Sequence, residues 1–468
     1  MWWTWPGILW DAALTGQAGP EAIDAVARAR LSRLVHAARQ DSPFYARHLR
    51  ALGGCDAPLS AIEPVTRPAL MSAFDDWATD RAITRAGVDA FIADPEKLGT
   101  DFLGRYAVWT SSGSTGEHGI YVHDAHALAV YDALELVRFR RLGPAQWMSA
   151  ACLSGERYAM VAATGGHFAA HATATRLARV NPWLGERARV FTIQQPLAEL
   201  VEALNAYQPT LLATYPTVAE VLADEQAAGR LRVRLHELWS GGEHLSEAVR
   251  TYIAERLGCR VREAYGASEF MPIAWECEHG GLHVNADWVL LEPVDALYRP
   301  AAPDQPSHTT LITNLANFAQ PLIRYDIGDR ITWSSTPCAC GSPLPTVKVE
   351  GRCNDTLAFR DRHGHTIKLL PLALATAVEE DAGVFGFQLA QTGPASLELR
   401  LAPDAARTGG APERCRDALA RLLDAQGLAH VRVDWNGRAP ERDAASGKLH
   451  QVLNAQRHLR PHARHARH

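Results

Sequence analysis

The sequence predicts an α/β protein: a large N-terminal domain with mostly parallel sheets, followed by a small C-terminal α+β domain. Three observations predict it. Between residues 100 and 355, short apolar runs alternate with helical stretches, the order that packs helices on a parallel sheet. Several of those runs end in Gly or Ser, where a parallel strand would deliver a loop. After about residue 355 the texture changes to paired strand-like runs around one amphipathic helix.

The elements follow from local signals. "PEAIDAVARARLSRLVHAARQ" repeats apolar residues at three-to-four spacing with arginines between them, a helix. "DSPFYARHL" begins another, with Asp41 and Ser42 as cap candidates and Pro43 at the helix start. "PTLLATY" reads as a buried strand, after which Pro216 opens the helix "TVAEVLADEQAAG" and Gly229 stops it. "LHELWSGG" and "VREAYGAS" are two more strand-then-turn units. Beyond 355, "VFGFQLAQTG" and "SLELRLAP" read as paired strands, "APERCRDALARLLDAQG" as a helix ended by Gly427, and "HVRVDW" as a further strand. The predicted division is 1–354 and 355–468.

Composition narrows the function. The 468 residues are 47% hydrophobic and 21% charged, with a formal net charge of -5. No basic excess exists to neutralise nucleic-acid phosphates, and the late run "RHLRPHARHARH" reads as a frayed end. The opening "MWWTWPGILW" lacks a basic flank, is broken by Pro6 and is too short to span a bilayer; no later segment is long and apolar enough. The expectation is a cytoplasmic protein with no nucleic-acid or membrane partner. The eight cysteines are dispersed, and a chain this long has no need of disulfides.

Five stretches carry candidate chemistry. In "TSSGSTG", backbone amides of a glycine-rich turn can point together at phosphate oxygens, and hydroxyls add donors without bulk. No Gly-Lys-Ser/Thr follows, so this is not a Walker loop; a plain Ser/Gly surface loop is the competing reading. In "EAYGASEF", Glu269 can hold Mg²⁺ against phosphates or, alternatively, stand at a helix start. "PLIRYDIGDR" places Asp329 after a glycine turn, suited either to ribose hydroxyls or to a salt bridge. "EGRCNDTLAF" and "ASGKLHQV" contribute Arg352, Asp355 and Lys448, each unremarkable alone.

Their order and spacing, together with "SPFYARHL", "PVTRPALMSAFDDW" and "WSGGEHLS", resemble the adenylate-forming superfamily, and within it the phenylacetate–coenzyme A ligase-like family. The resemblance implies ATP-dependent activation of a carboxylic acid to an acyl-adenylate with pyrophosphate release. Transfer to a thiol would follow, commonly that of coenzyme A; a carrier-protein phosphopantetheine thiol or an amine is the alternative acceptor. A non-catalytic nucleotide-binding protein is a further alternative. The resemblance assigns Ser111, Ser112, Gly113, Ser114, Thr115 and Gly116 to the ATP phosphates and Glu269 to Mg²⁺. Gly241, Gly242, Glu243, Tyr265, Gly266, Ala267 and Ser268 would border the adenine. Asp329 would take the ribose, with Arg352 nearby, and Lys448 would bridge carboxylate and α-phosphate during adenylation. It also implies a mobile C-terminal lid hinged near Asp355 and allows a homodimer. "TGEHG" lacks a lysine that often follows the phosphate loop, and "RDRHGHTIKLLP" matches the usual glycine-rich stretch after the hinge poorly, leaving the acceptor open.

Two further groups complete the reading. Cys277, His283, Cys338 and Cys340 form a plausible tetrahedral zinc set, with His279 competing with His283. Gly166, His167, Phe168, Tyr215 and Pro216 suit the wall of an acid pocket; the family resemblance implies an aromatic acid or a short acyl acid.

Overall fold

The computed structural model describes residues 5–50, 52, 58–111, 119–139, 156–164, 166–180, 182–350, 357–441 and 451–455. Among them a nine-stranded sheet runs, edge to edge, through Arg330–Trp333, Thr346–Glu350, Leu282–Val284, Phe270–Glu276, Arg260–Ala267, Glu237–Gly241, Leu211–Thr214, Tyr158–Ala162 and Ala188–Thr192. The last five of these are parallel, in the register that sets Gly241 beside Ala264. The first four join by antiparallel pairing.

The α/β class stands, with the parallel order of the large sheet confined to that five-strand block. The cause is local. After Tyr265 the chain turns straight back, pairing Ala267 with Phe270. A Cβ on Gly266 would lie 2.0 Å from the carbonyl oxygen of Met271, so only glycine permits this bulged hairpin.

Helix Pro216–Ala227 forms where expected and buries Val218, Ala219, Leu222 and Ala223 against the parallel block. Helix Pro43–His48 is capped by Ser42, whose Oγ accepts from the Tyr45 amide at 3.3 Å; Asp41 ends the preceding helix Pro20–Asp41 instead. A second core joins the N-terminal helices to the hairpin Tyr106–Ser111/Gly119–Asp124 and to a three-stranded sheet containing Leu322–Asp326.

Residues from Leu357 to Val452 have their own apolar core. Its sheet runs in the order Arg432–Trp435, Ser396–Leu401, Phe387–Gly393, Val452–Asn454, with helix Ala411–Ala425 packed against it. This unit meets the large sheet through a Lys368–Asp224 ion pair and a Gln426 side chain donating to the Gln194 carbonyl at 3.0 Å. No described helix is long and apolar enough to cross a membrane.

A buried charge cluster locks the N-terminal helices to the body. Asp287 is fully buried and accepts from Arg138 at 2.6 and 2.8 Å and from Arg30 at 3.2 Å. Burial opposes its charge, but the two guanidiniums more than compensate and hold its pKa below the ordinary 3.8. Asp287→Ala would leave the buried Arg138 without its carboxylate and Arg30 with Asp11 alone; chemical denaturation is expected to register a loss of about 3–5 kcal/mol. Because the folded pKa is depressed, this stabilisation is present above the unfolded value near 3.8. It disappears as the pH falls through the lower folded value.

Candidate active site and metal centre

The serine-rich turn opens and closes on a paired step, Ser111 opposite Gly119. Ser112, Gly113, Ser114, Thr115 and Gly116 lie outside the described residues, as do Arg352, Asp355 and Lys448. Among the described residues, the hydroxyl oxygens of Thr110 and Ser111 are buried without hydrogen-bond partners at this strand end.

Three contacts bring the other motifs to the same strand end. Ser268 Oγ donates to the Thr110 carbonyl at 3.0 Å. Burial pulls His123 down to about 3, so its ring is neutral and Nε2–H donates to the Ser268 carbonyl at 3.0 Å. The Thr110 amide donates to the His167 carbonyl at 2.8 Å, and Phe168 bridges to Thr110.

Glu269 occupies the hairpin turn after Ala267 rather than a helix start. Its side chain is buried, and three donors converge on one oxygen, Oε1: Tyr121 Oη at 2.5 Å, Tyr325 Oη at 3.2 Å and Arg67 Nη2 at 3.4 Å. Burial raises the pKa of both phenols well above the usual tyrosine range, so both keep their protons for donation. These three donors hold Oε1 in place.

Tyr265 Oη donates to Asp329 Oδ2 at 2.8 Å, joining the tyrosine turn to the ribose candidate. Gly328, at φ +80, makes the turn that presents Asp329. Gly242, at φ +77, lies flat against Tyr215, where a Cβ would come within 2.9 Å of the ring. Glu243 accepts from the Thr217 amide at 3.1 Å, at the start of the helix that Pro216 opens. Tyr215 Oη in turn accepts from the Ala163 amide at 3.4 Å.

His167 is buried beside Phe91, and desolvation lowers its pKa, leaving a neutral ring. Gly166 faces the C-terminal unit: a Cβ there would lie 2.5 Å from Glu380 Oε2. Sequence reasoning missed Arg67, Tyr121, Tyr325 and Glu380. Arg67 and Tyr325 stand inside quoted stretches, "PVTRPALMSAFDDW" and "RYDIGDR". Strand alternation from Gly119 would have put Tyr121 on the Ser111 face.

The metal candidates converge. The donor atoms of Cys277, His283, Cys338 and Cys340 all lie within 4.8 Å of one another. Cys277 and Cys338 Sγ are 3.5 Å apart, and Cys340 Sγ is 3.2 Å from His283 Nε2. The first spacing far exceeds the ~2.05 Å of a disulfide; both approach the edges of a tetrahedron around zinc. His283 Nδ1–H donates to the Leu344 carbonyl at 2.8 Å, which turns the Nε2 lone pair toward the thiols. Gly281 has no room for a side chain, since a Cβ would lie 2.7 Å from Cys338 Sγ. His279 is exposed and outside the group.

Residues 106–296 match the family model described as AMP-binding enzyme. A phenylacetate-coenzyme A ligase of Thermus thermophilus is 29% identical over 168 residues, 34% of this chain and 38% of that protein. One of Pseudomonas putida is 28% identical over 170 residues, again 34% and 38%. The chain thus spans 38% of the length of these curated relatives. Among solved structures, a 2-hydroxyisobutyryl-CoA ligase with 2-HIB-AMP and CoA in its thioesterification state superposes with a TM-score of 0.57. It is 20% identical, over 94% of this chain and 91% of that one. The open conformation of the same ligase gives 0.53 over 94% and 93%, also at 20% identity. This ligase shares the fold of the chain in both conformations. Residues 106–296 are thus similar to the AMP-binding enzyme family, and 34% of the chain is similar to phenylacetate-coenzyme A ligases.

Proposed function

We propose that this protein is an AMP-forming acid–thiol ligase. It would join a carboxylic acid to the α-phosphate of ATP, release pyrophosphate, and pass the acyl group to the thiol of coenzyme A. The observation that carries this reading is that Ser268 donates to the Thr110 carbonyl beside Ser111, Glu269 accepts from Tyr121 on the paired strand, and Tyr265 donates to Asp329, so that three stretches far apart in sequence meet.

The chain's own groups divide the work. Ser111 and the turn that follows bind phosphate oxygens. Glu269, oriented by Arg67, Tyr121 and Tyr325, would hold Mg²⁺, which neutralises phosphate charge when bound. Asp329, positioned by Tyr265, takes the ribose hydroxyls. Gly241, Gly242 and Glu243, with Ala267 and Ser268, border the adenine. Gly166, His167, Phe168, Tyr215 and Pro216 wall the acid, and the apolar rings support an aromatic acid. Lys448 and Arg352 act from the C-terminal side. Residues 355–468 form a lid hinged near Asp355, a division supported by the separate core between Leu357 and Val452.

A screen of acids for acid-dependent pyrophosphate release tests the first half. Mass spectrometry with coenzyme A, a pantetheinylated carrier protein or an amine tests the acceptor. The proposal expects a coenzyme A thioester; an acylated carrier or an amide would replace that acceptor, and no acid-dependent release would remove the enzyme reading.

Cys277, His283, Cys338 and Cys340 would hold a structural zinc, which supplies no chemistry to the reaction but ties the turn after Glu276 to the loop after Trp333. Elemental analysis is expected to find one zinc per chain, and Cys340→Ser to lose it with a melting point several degrees lower. Metal-free protein of equal stability contradicts the site.

A further inference from the structure

A cleft of about 360 Å³ lies between the N-terminal helices and the body, lined by Ile8, Asp11, Val26, Ala29, Arg30, Arg33, His126, Trp288, Leu315 and Phe318. It is separate from the nucleotide site. His126 sits just past the end of strand Gly119–Asp124 that is remote from the serine-rich turn, roughly 17 Å away at about 3.3 Å per residue. Its volume falls within the range of small-molecule pockets.

The walls are chemically divided. One side is aromatic: His126 stands 5.7 Å from Trp288 and 5.9 Å from Phe318, ring centre to ring centre. The other side is aliphatic, from the helices carrying Ile8, Val26 and Ala29. Arg30 lies flat on Trp288, 3.4 Å from the ring centre, and is clamped by Asp11 and Asp287. It therefore cannot swing away. Arg33, one helical turn on, is exposed and forms no ion pair among the described residues. Arg30, Arg33 and Arg138 against Asp11 and Asp287 leave one positive charge over, that of the exposed Arg33 on the cleft wall.

We infer that this cleft is a second ligand site, for a small organic monoanion with a flat apolar body, of the class of aromatic carboxylates. The ring packs against Trp288, His126 and Phe318, and the carboxylate pairs with Arg33. Asp11 disfavours a polyphosphate, which would bring several negative charges against one spare cation. His126 commits Nδ1–H to the Ala316 carbonyl at 2.8 Å, leaving Nε2 as the ring nitrogen free for the ligand.

Calorimetric titration of the full chain with 2-naphthoate, in saturating AMP, tests this. The inference expects binding that weakens at least tenfold in Ala29→Trp, which fills the cleft, and in Arg33→Glu, which reverses the charge. Both positions are exposed on helix Pro20–Asp41, and melting curves establish that the variants are folded. Glu269→Gln should bind as the wild type does, so the site can stand even if the ligase reading falls. Equal binding by wild type and both variants, or by the neutral 2-naphthalenemethanol, overturns it.

Discussion

Lys448→Ala is expected to lower acid-dependent exchange of pyrophosphate into ATP by about 10²–10³-fold, while thioester formation from supplied acyl-adenylate continues at near wild-type rate. The asymmetry follows from what a lysine can do. Its ammonium is a compact charge on a flexible stem, suited to the carboxylate and α-phosphate oxygens while they join. Once the mixed anhydride exists, attack by the thiol no longer needs that charge. Stopped-flow assays of the two half-reactions, run separately, measure this. Equal loss in both halves would make Lys448 a structural residue.

Glu269→Gln carries the second large effect. The substitution keeps the shape and the three donors around Oε1 but removes the charge. Adenylation is expected to fall by about 10²–10³-fold, with a higher Mg²⁺ concentration needed for half-maximal rate. Binding of AMP, which has no β- or γ-phosphate, should change little. A variant with full activity and unchanged Mg²⁺ dependence would show that the buried carboxylate serves only the Arg67–Tyr121–Tyr325 cluster.

Much of the fold was legible where the signals are local. Pro216 and Gly229 bracket their helix, and Ser42 caps the one after it. The runs around Phe387–Gly393 and Ser396–Leu401 pair as their spacing implies. The antiparallel half of the large sheet was hidden. A strand that ends in Tyr-Gly-Ala-Ser looks the same whether a helix or a hairpin follows. What decides is the approach of Gly266 to the Met271 carbonyl, a tertiary fact.

The site divides the same way. Motif residues such as Glu269 and Asp329 could be named from short strings. Arg67 and Tyr121 could not be paired with Glu269, because they lie 202 and 148 positions away and nothing in linear spacing encodes such contacts. The zinc candidates show both outcomes. The chemistry of the four ligands was readable, but the choice between His279 and His283 was not. Strand Leu282–Val284 settles it by burying His283 while His279 stays on an exposed turn.

The claim on which the rest depends is that the acid oxygen itself bonds to the α-phosphorus of ATP. Turnover of an ¹⁸O-carboxylate substrate, with mass analysis of the released nucleotide, tests it most directly. The account predicts one ¹⁸O in AMP for each thioester formed; label in inorganic phosphate, or AMP without label, would contradict it.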